Sequence, residues 1–325
     1  MKRAVWIILA AVLAAADGVQ AQSDYPNRPV RIVVDSAPGS ANDVTLRILA
    51  ERLSQLWGQQ VLTLNQPGAG GSISARVAAG APPDGYTLYM PAASVFLALP
   101  GAPGVASNLP VELPRDFVPI GFVTHQPMFI GMSPTLGIST LPELIALAKQ
   151  KPGQISYAAT GRGRITHLTM ELLQSRAGIK LQLVPYTGGP AQAMNDIISG
   201  RVGLVLDGYS SLAGSLQGGS IKGLAVTANA RVPGFPDLPT VAETLPGFIA
   251  GGWQIMVAPS GTPDAIVRKV ATDMQTALQD KEIAAKYATL GAFVRHMSPA
   301  EATAFSQSEQ TIWRPMLEQV AKQAQ

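Results

Sequence analysis

The sequence predicts an α/β protein of two lobes joined by two chain crossings. Three observations carry that expectation. Short apolar strands alternate with amphipathic helices, the pattern of α/β layers with largely parallel sheets. The alternation comes in two series, separated by a Pro-rich, irregular stretch at about Asn108–Asp116. The chain then ends in helices alone, which pack most simply back on the first series. The crossings fall near residues 122–132 and 249–258, which gives one lobe from 22–125 and 254–325 and a second from 126–253. At 325 residues, 47% hydrophobic and 14% charged, the chain has material for about two domains.

The N-terminus reads as an export signal, residues 1–21. Lys2 and Arg3 precede an apolar run from Ala4 to about Ala16, and Val19-Gln20-Ala21 fits the small-x-small rule for cleavage after Ala21. Val30–Val34 is then the first strand. The helix after it places Leu46, Leu49, Leu53 and Leu56 at spacings of three and four, a stripe facing the sheet. "QQVLTLNQ" is the next strand, Pro67–Ser72 a flexible turn with Ser72 as a helix cap, and "GYTLYM" resumes the sheet. In the second series "LPELIALAKQKPG" is a helix ended by Gly153 and "QISYAAT" a strand. "THLTMELLQSRAG" is a helix ended by Gly178, "LQLVPY" a strand, "PAQAMNDIISG" a helix, and "VGLVLD" and "IKGLAVTA" are strands. "GGWQIMVAPSGTP" leads into helices near Pro263–Leu278, Lys281–Leu290 and Pro299–Ala321. Trp57, Trp253 and Trp313 read as packing residues.

Composition removes several classes of function. Loss of the signal leaves 22 basic against 20 acidic residues, and there is no basic stripe with interleaved aromatics, so nucleic acid is not an expected partner. No later apolar run approaches the roughly 18–20 residues that span a bilayer. The chain has no cysteine, which removes disulfides, thiolate metal sites and a cysteine nucleophile. His125, His167 and His296 lack zinc-type spacing, so no metal is expected. "GRGRIT" lacks the third glycine of a dinucleotide loop, and no cofactor is expected. Ser40, His167 and Asp207 could form a triad on paper, but no G-x-S-x-G elbow supports a secreted hydrolase.

Two lobes joined by a pair of crossings in an exported chain describe a hinged binding protein that closes on a ligand. In such folds the ligand lies outside the carboxyl ends of the strands. Four segments stand there: Asp35–Asp43, Thr160–His167, Tyr186–Pro190 and Asp207–Ser211.

Those segments carry a family resemblance. "YPNRPVRIVV", "APGSANDVTLRILAERL", "NQPGAGGSISARVAAGAPPDGYTL", "PRDFVPIGFV", "ISYAATGRGRITHLTMELL", "VPYTGGPAQAMNDIISGRV", "LAVTANARVPGFPDLPTVAETLPGF" and "VAPSGTPDAIVRKV", in this order, resemble the landmarks of the Bug family. These are periplasmic solute receptors of tripartite tricarboxylate transporters, and the resemblance covers nearly the whole chain after the signal. It implies a two-lobed type II periplasmic binding protein with a ligand cleft between its α/β domains. The ligand would be a small carboxylate, the partners the membrane subunits of the transporter, the location the periplasm and the default state a monomer. A ligand-sensing receptor for a signalling partner is the alternative.

The resemblance also nominates the site. Ser36, Ala37, Gly39, Ser40 and Ala41 match the carboxylate-cradling turn, where backbone N–H groups at a helix N-terminus suit an anion. Asp35 is a departure, standing where the family commonly has Pro-Phe. In the second loop, Thr160, Arg162, Arg164, Thr166 and His167, two arginines replace small neutral residues. Either arginine could grip a carboxylate in bidentate fashion, extend into water, or pair with Asp35 across the closed cleft. His167 is expected to pack or cap rather than to do chemistry. Tyr186 and Thr187 match a ligand-side turn, and Asp207 divides between ligand contact and holding backbone N–H groups.

Overall fold

Val30–Val34 forms β1, with Val30, Ile32, Val33 and Val34 fully buried because helices cover both faces of a parallel strand. The computed structural model describes residues 25–101 and 105–323, and the export signal expected at residues 1–21 lies outside them. From β1 the chain enters α1 (Ala41–Trp57), which buries Leu46, Leu49 and Leu53 but leaves Leu56 39% exposed. The reason is length. Seventeen helical residues run about 25 Å, whereas a five-residue strand spans about 17 Å, so the last turn overhangs the sheet.

β2 (Val61–Asn65) and β3 (Thr87–Met90) pair parallel on either side of β1. Between them α2 (Ser72–Ala79) begins one residue earlier than the sequence suggests. Gly71, at φ +99°, takes the cap position and Ser72 is the first helical residue. The short helix α3 (Ala93–Leu97) follows β3.

β4 (Phe117–Met132) is the spine of the molecule. Its first part, Phe117–Pro127, pairs antiparallel with β9 (Gly251–Pro259). Its last part, Met128–Met132, pairs with β7 (Leu204–Gly208), and Phe129–Met132 also pairs with β8 (Lys222–Val226). The strand order is β2-β1-β3-β9-β4-β7-β5-β6. β5 (Ser156–Ala159) pairs parallel with both β6 (Gln182–Pro185) and β7. One long strand therefore leaves one parallel set and enters the other, with β9 returning alongside it.

The remaining helices are α4 (Leu141–Gln150), α5 (Ile165–Ala177), α6 (Pro190–Ile198), α7 (Tyr209–Gln217), α8 (Asp264–Gln279), α9 (Lys281–Thr289) and α10 (Pro299–Gln323). α4 stops at Gln150 rather than running to Gly153. Lys151 precedes Pro152, and the proline ring disfavours helical geometry at the residue before it. α3 and α7 are not apparent in the sequence: α3 is a bare turn and a half, and α7, "YSSLAGSLQ", is rich in Ser and Gly, which are poor helix formers. The C-terminal part is not purely helical, since the two-residue strand β10 (Phe293–Val294) joins the edge of β4. α10 packs on β4, on α3 and on α5, so it reaches both halves of the molecule rather than the first alone. Trp253 stacks on Phe96 with ring centroids 5.1 Å apart, and it and Trp313 both donate to Glu309 Oε2 at 3.2 Å. That anchors α10 to β9, beside the spine.

Candidate functional site

A cavity of about 360 Å³ opens where the carboxyl ends of β1 and β5 face each other, within the roughly 300–1,000 Å³ range of small-molecule pockets. The first turn, Asp35–Ser40, is braced from within. Ser40 caps α1 by accepting the Asp43 N–H, and Asp43 Oδ2 accepts the Gly39 N–H at 2.9 Å. Arg47 and Asn65 also hold the Asp43 carboxylate, at 3.0 and 2.8 Å. Burial alone would raise the Asp43 pKa, but these hydrogen bonds and the Arg47 charge outweigh it and hold the carboxyl below its ordinary value. Asn65 reaches the Ser36 carbonyl at 2.9 Å, and Asn42 donates to Ser36 Oγ at 3.2 Å. The turn is thus rigid before any ligand arrives.

The second turn, Thr160–Arg164, is held more lightly. Gly161 and Gly163 have φ of +139° and +71°, and Arg164 occupies the cap position of α5 with no side-chain cap bond. Thr166 Oγ1 accepts the Thr160 N–H at 3.1 Å, and His167 Nδ1 accepts the Gly163 N–H at 3.1 Å. His167 is buried, and burial together with the Arg162 charge lowers its pKa to about 4. At neutral pH it is an uncharged imidazole serving as an acceptor.

What ties the two turns together is an ion pair. Arg164 Nη1 lies 2.5 Å from Asp35 Oδ2, with the Asp35 side chain fully buried and that of Arg164 only 12% exposed. Asp35 Oδ1 accepts the Ala92 N–H at 3.1 Å. Burial opposes the Arg164 charge, yet the Asp35 carboxylate prevails and raises the arginine's pKa. Gly71 is required at this point. A Cβ there would stand 2.4 Å from Val95 Cγ2 and 2.9 Å from Asp35 Oδ2.

The nominated residues divide as follows. Asp35, Ser36, Ala37, Ser40, Ala41, Thr160, Arg162, Arg164, Thr166, His167, Thr187 and Asp207 line the cavity. Gly39 and Tyr186 are not among the lining residues: Gly39 turns its N–H to Asp43, and Tyr186 donates to the Asp196 carboxylate. Asp207, at the end of β7, accepts the Gly208 N–H at 2.8 Å. Its burial outweighs that bond and the nearby Arg164 charge, and its pKa rises to about 6.

Lining residues missed from the sequence include the Pro67–Gly71 turn, Gln126 and Met128 of the spine, and Leu317 and Val320 of α10. The alternation of strands and helices carries no signal for them. α10 arrives from the far end of the chain, and only its packing across both halves brings it to the cleft. Among the described residues no group of three or more His, Cys, Asp or Glu is placed to hold a metal, and no helix is long and apolar enough to cross a membrane.

The family model of the tripartite tricarboxylate transporter family receptor, TctC, matches residues 45–321. The chain belongs to the TctC receptor family. BugT of Bordetella pertussis is 32% identical to this TctC receptor over 89% of the chain and 88% of BugT. Among solved structures, an R. palustris protein with adipate superposes with a TM-score of 0.86 and 29% identity, covering 92% of this chain and 98% of that one. MatC from Rhodopseudomonas palustris, with bound malate, gives 0.80 and 27%, covering 90% and 100%. TctC proteins are solute receptors, and the family identity agrees with the type II periplasmic binding fold and with the Bug resemblance of the sequence.

Proposed function

We propose that this TctC receptor captures a small carboxylate between two closing lobes in the periplasm and delivers it to the membrane subunits of a tripartite tricarboxylate transporter. The observation that carries the reading is the meeting, at one cavity, of two strand-to-helix turns from different parallel sets, each opening a helix N-terminus toward it. Backbone N–H groups in such turns bind an anion, and each helix dipole adds about 0.3–1 kcal/mol. The adipate and malate carried by structural relatives support the same ligand class.

Closure is a population shift in which contacts from both turns stabilise the shut form. The lobes are 22–125 with 254–325, and 126–253. The change of partners along β4 after Pro127 supports that division. Asp35, Ser36, Ala37, Ser40, Ala41, Thr160, Arg162, Arg164, Thr166, His167, Thr187 and Asp207 form the binding surface, with Gly39 and Tyr186 shaping its turns. The exported chain begins at Gln22 once the signal is removed and acts as a monomer. Catalysis has no part in this role, and His167 is engaged as a backbone acceptor.

A thermal-shift screen of refolded, ligand-stripped protein against aliphatic and aromatic acids tests the proposal. A ligand at about 100 times its dissociation constant adds about 2.7 kcal/mol of stability, seen as a raised midpoint. Silence across all carboxylates, with a shift from neutral or cationic solutes, would overturn it.

A further inference from the structure

We propose that the cleft selects a monocarboxylate with an apolar body over diacids, and that Asp35 sets this choice. The inference rests on the carboxylate reading above and narrows it. Among the described residues, four side chains that carry formal charge line the cavity: Asp35, Arg162, Arg164 and Asp207. Arg164 is the cation buried among them, and its guanidinium is committed to Asp35 at 2.5 Å and reaches Ser36 Oγ at 3.5 Å. Arg162 stands exposed at the rim, where water weakens its pull on an anion. Asp207 presents an acid to the same space.

Another part of the wall is apolar, formed by Ala98, Leu99, Leu109, Leu317 and Val320. One carboxylate of an incoming ligand is met by the N–H groups of the turns. A second carboxylate would meet either this apolar wall, where an unpaired charge is costly, or the Asp207 carboxylate, which repels it. An alkyl or aryl body buries its surface against the wall instead. Asp35 therefore works by exclusion: it neutralises the arginine that would otherwise hold a diacid's far end.

Calorimetric titration of the refolded, ligand-stripped protein with matched pairs tests this: hexanoate against adipate, and phenylacetate against 1,4-phenylenediacetate. The expected result is that the monoacid of at least one pair binds about tenfold or more tighter than its diacid. Asp35→Asn keeps an acceptor for the Ala92 N–H but frees Arg164, and is expected to raise the ratio of diacid to monoacid affinity about tenfold, whatever the lost pair costs both ligands alike. Diacids binding as well as monoacids in the unaltered protein would overturn the inference and leave the carboxylate reading standing. So would an unchanged ratio in Asp35→Asn, or norleucine binding tighter than hexanoate through its ammonium. Binding by no acid of either kind would remove the carboxylate reading itself, and this inference with it.

Discussion

Asp35–Ala41 and Thr160–Arg164 are both glycine-containing turns that carry the chain from a parallel strand into a helix, yet the first is closed on itself and the second is not. Ser40 at the start of α1, Asp43 within it and Asn65 of β2 beside it brace the first turn. The second has no side-chain cap at Arg164, whose guanidinium finds its partner across the cleft instead. The acids beside them differ in the same sense. Asp43 is held below the ordinary carboxyl range by hydrogen bonds, and Asp207 is pushed up to about 6 by burial. One turn is braced by its own neighbours, whereas the other, held by Thr166 and His167, is also tied to the first through Arg164.

The largest test of that contrast is Arg164→Ala. It leaves Asp35 buried and unpaired in the closed form, a loss of about 3–5 kcal/mol that is large enough to invert the resting population toward the open form. Small-angle scattering of the ligand-stripped variant is expected to show a larger radius of gyration than the unaltered protein. An unchanged radius would mean that the pair does not govern closure.

Asp207→Asn comes next. A rise from the ordinary 3.8 to about 6 is worth about 3 kcal/mol. A group with a raised folded pKa stabilises at low pH and loses that stability as pH rises through the folded value. The variant is therefore expected to melt higher than the unaltered protein at pH 7.5 and to lack its loss of stability between about pH 4 and 6. Asp43→Asn has the opposite signature, since a lowered pKa stabilises above the ordinary 3.8 and that stability is lost as acid takes the pH through the folded value. The melting temperature of Asp43→Asn should fall short of the unaltered protein at neutral pH and converge with it in acid.

Gly71→Ala and Gly39→Ala separate strain from space. Both glycines have positive φ, but the added methyl meets Val95 and Asp35 at the first site and nothing within 4 Å at the second. Gly71→Ala is expected to cost about 1–3 kcal/mol from overpacking alone, with loss of ligand binding, and Gly39→Ala only about 1–2 kcal/mol from its left-handed backbone. Equal losses in urea denaturation would mean that the Asp35–Arg164 contact tolerates rearrangement. Ser40→Ala is the smallest change, about 1 kcal/mol for a lost cap. A much larger loss would show that the first turn lacks the independent bracing described.

Much of the architecture is legible from residues alone. β1 falls where "VRIVV" stands, and α5 ends at Gly178 because glycine accepts the left-handed conformation that closes a helix. The two segments after β1 and β5 are identifiable as facing turns because strand ends and helix starts have local chemistry. Where local chemistry is weak or is overruled by packing, the reading fails. Ser72 is a good cap residue, but the cap position falls on Gly71, where Asp35 and Val95 leave no room for a side chain. Leu56 continues a helical stripe that has outrun its sheet.

The amino-acid sequence by itself determined the alternating α/β pattern, the two candidate turns and the unusual acid and arginines within them, since periodicity, capping and composition act over a few residues. Which arginine faces the acid was decided only in the tertiary structure. Arg162 and Arg164 are two positions apart and chemically alike, and their separate fates, one at an exposed rim and one in a buried ion pair, follow from the start of α5. The apolar wall supplied by Leu317 and Val320 was decided the same way, because their meeting with Ala98 and Leu99, more than two hundred positions away, is set by how the sheets and α10 pack.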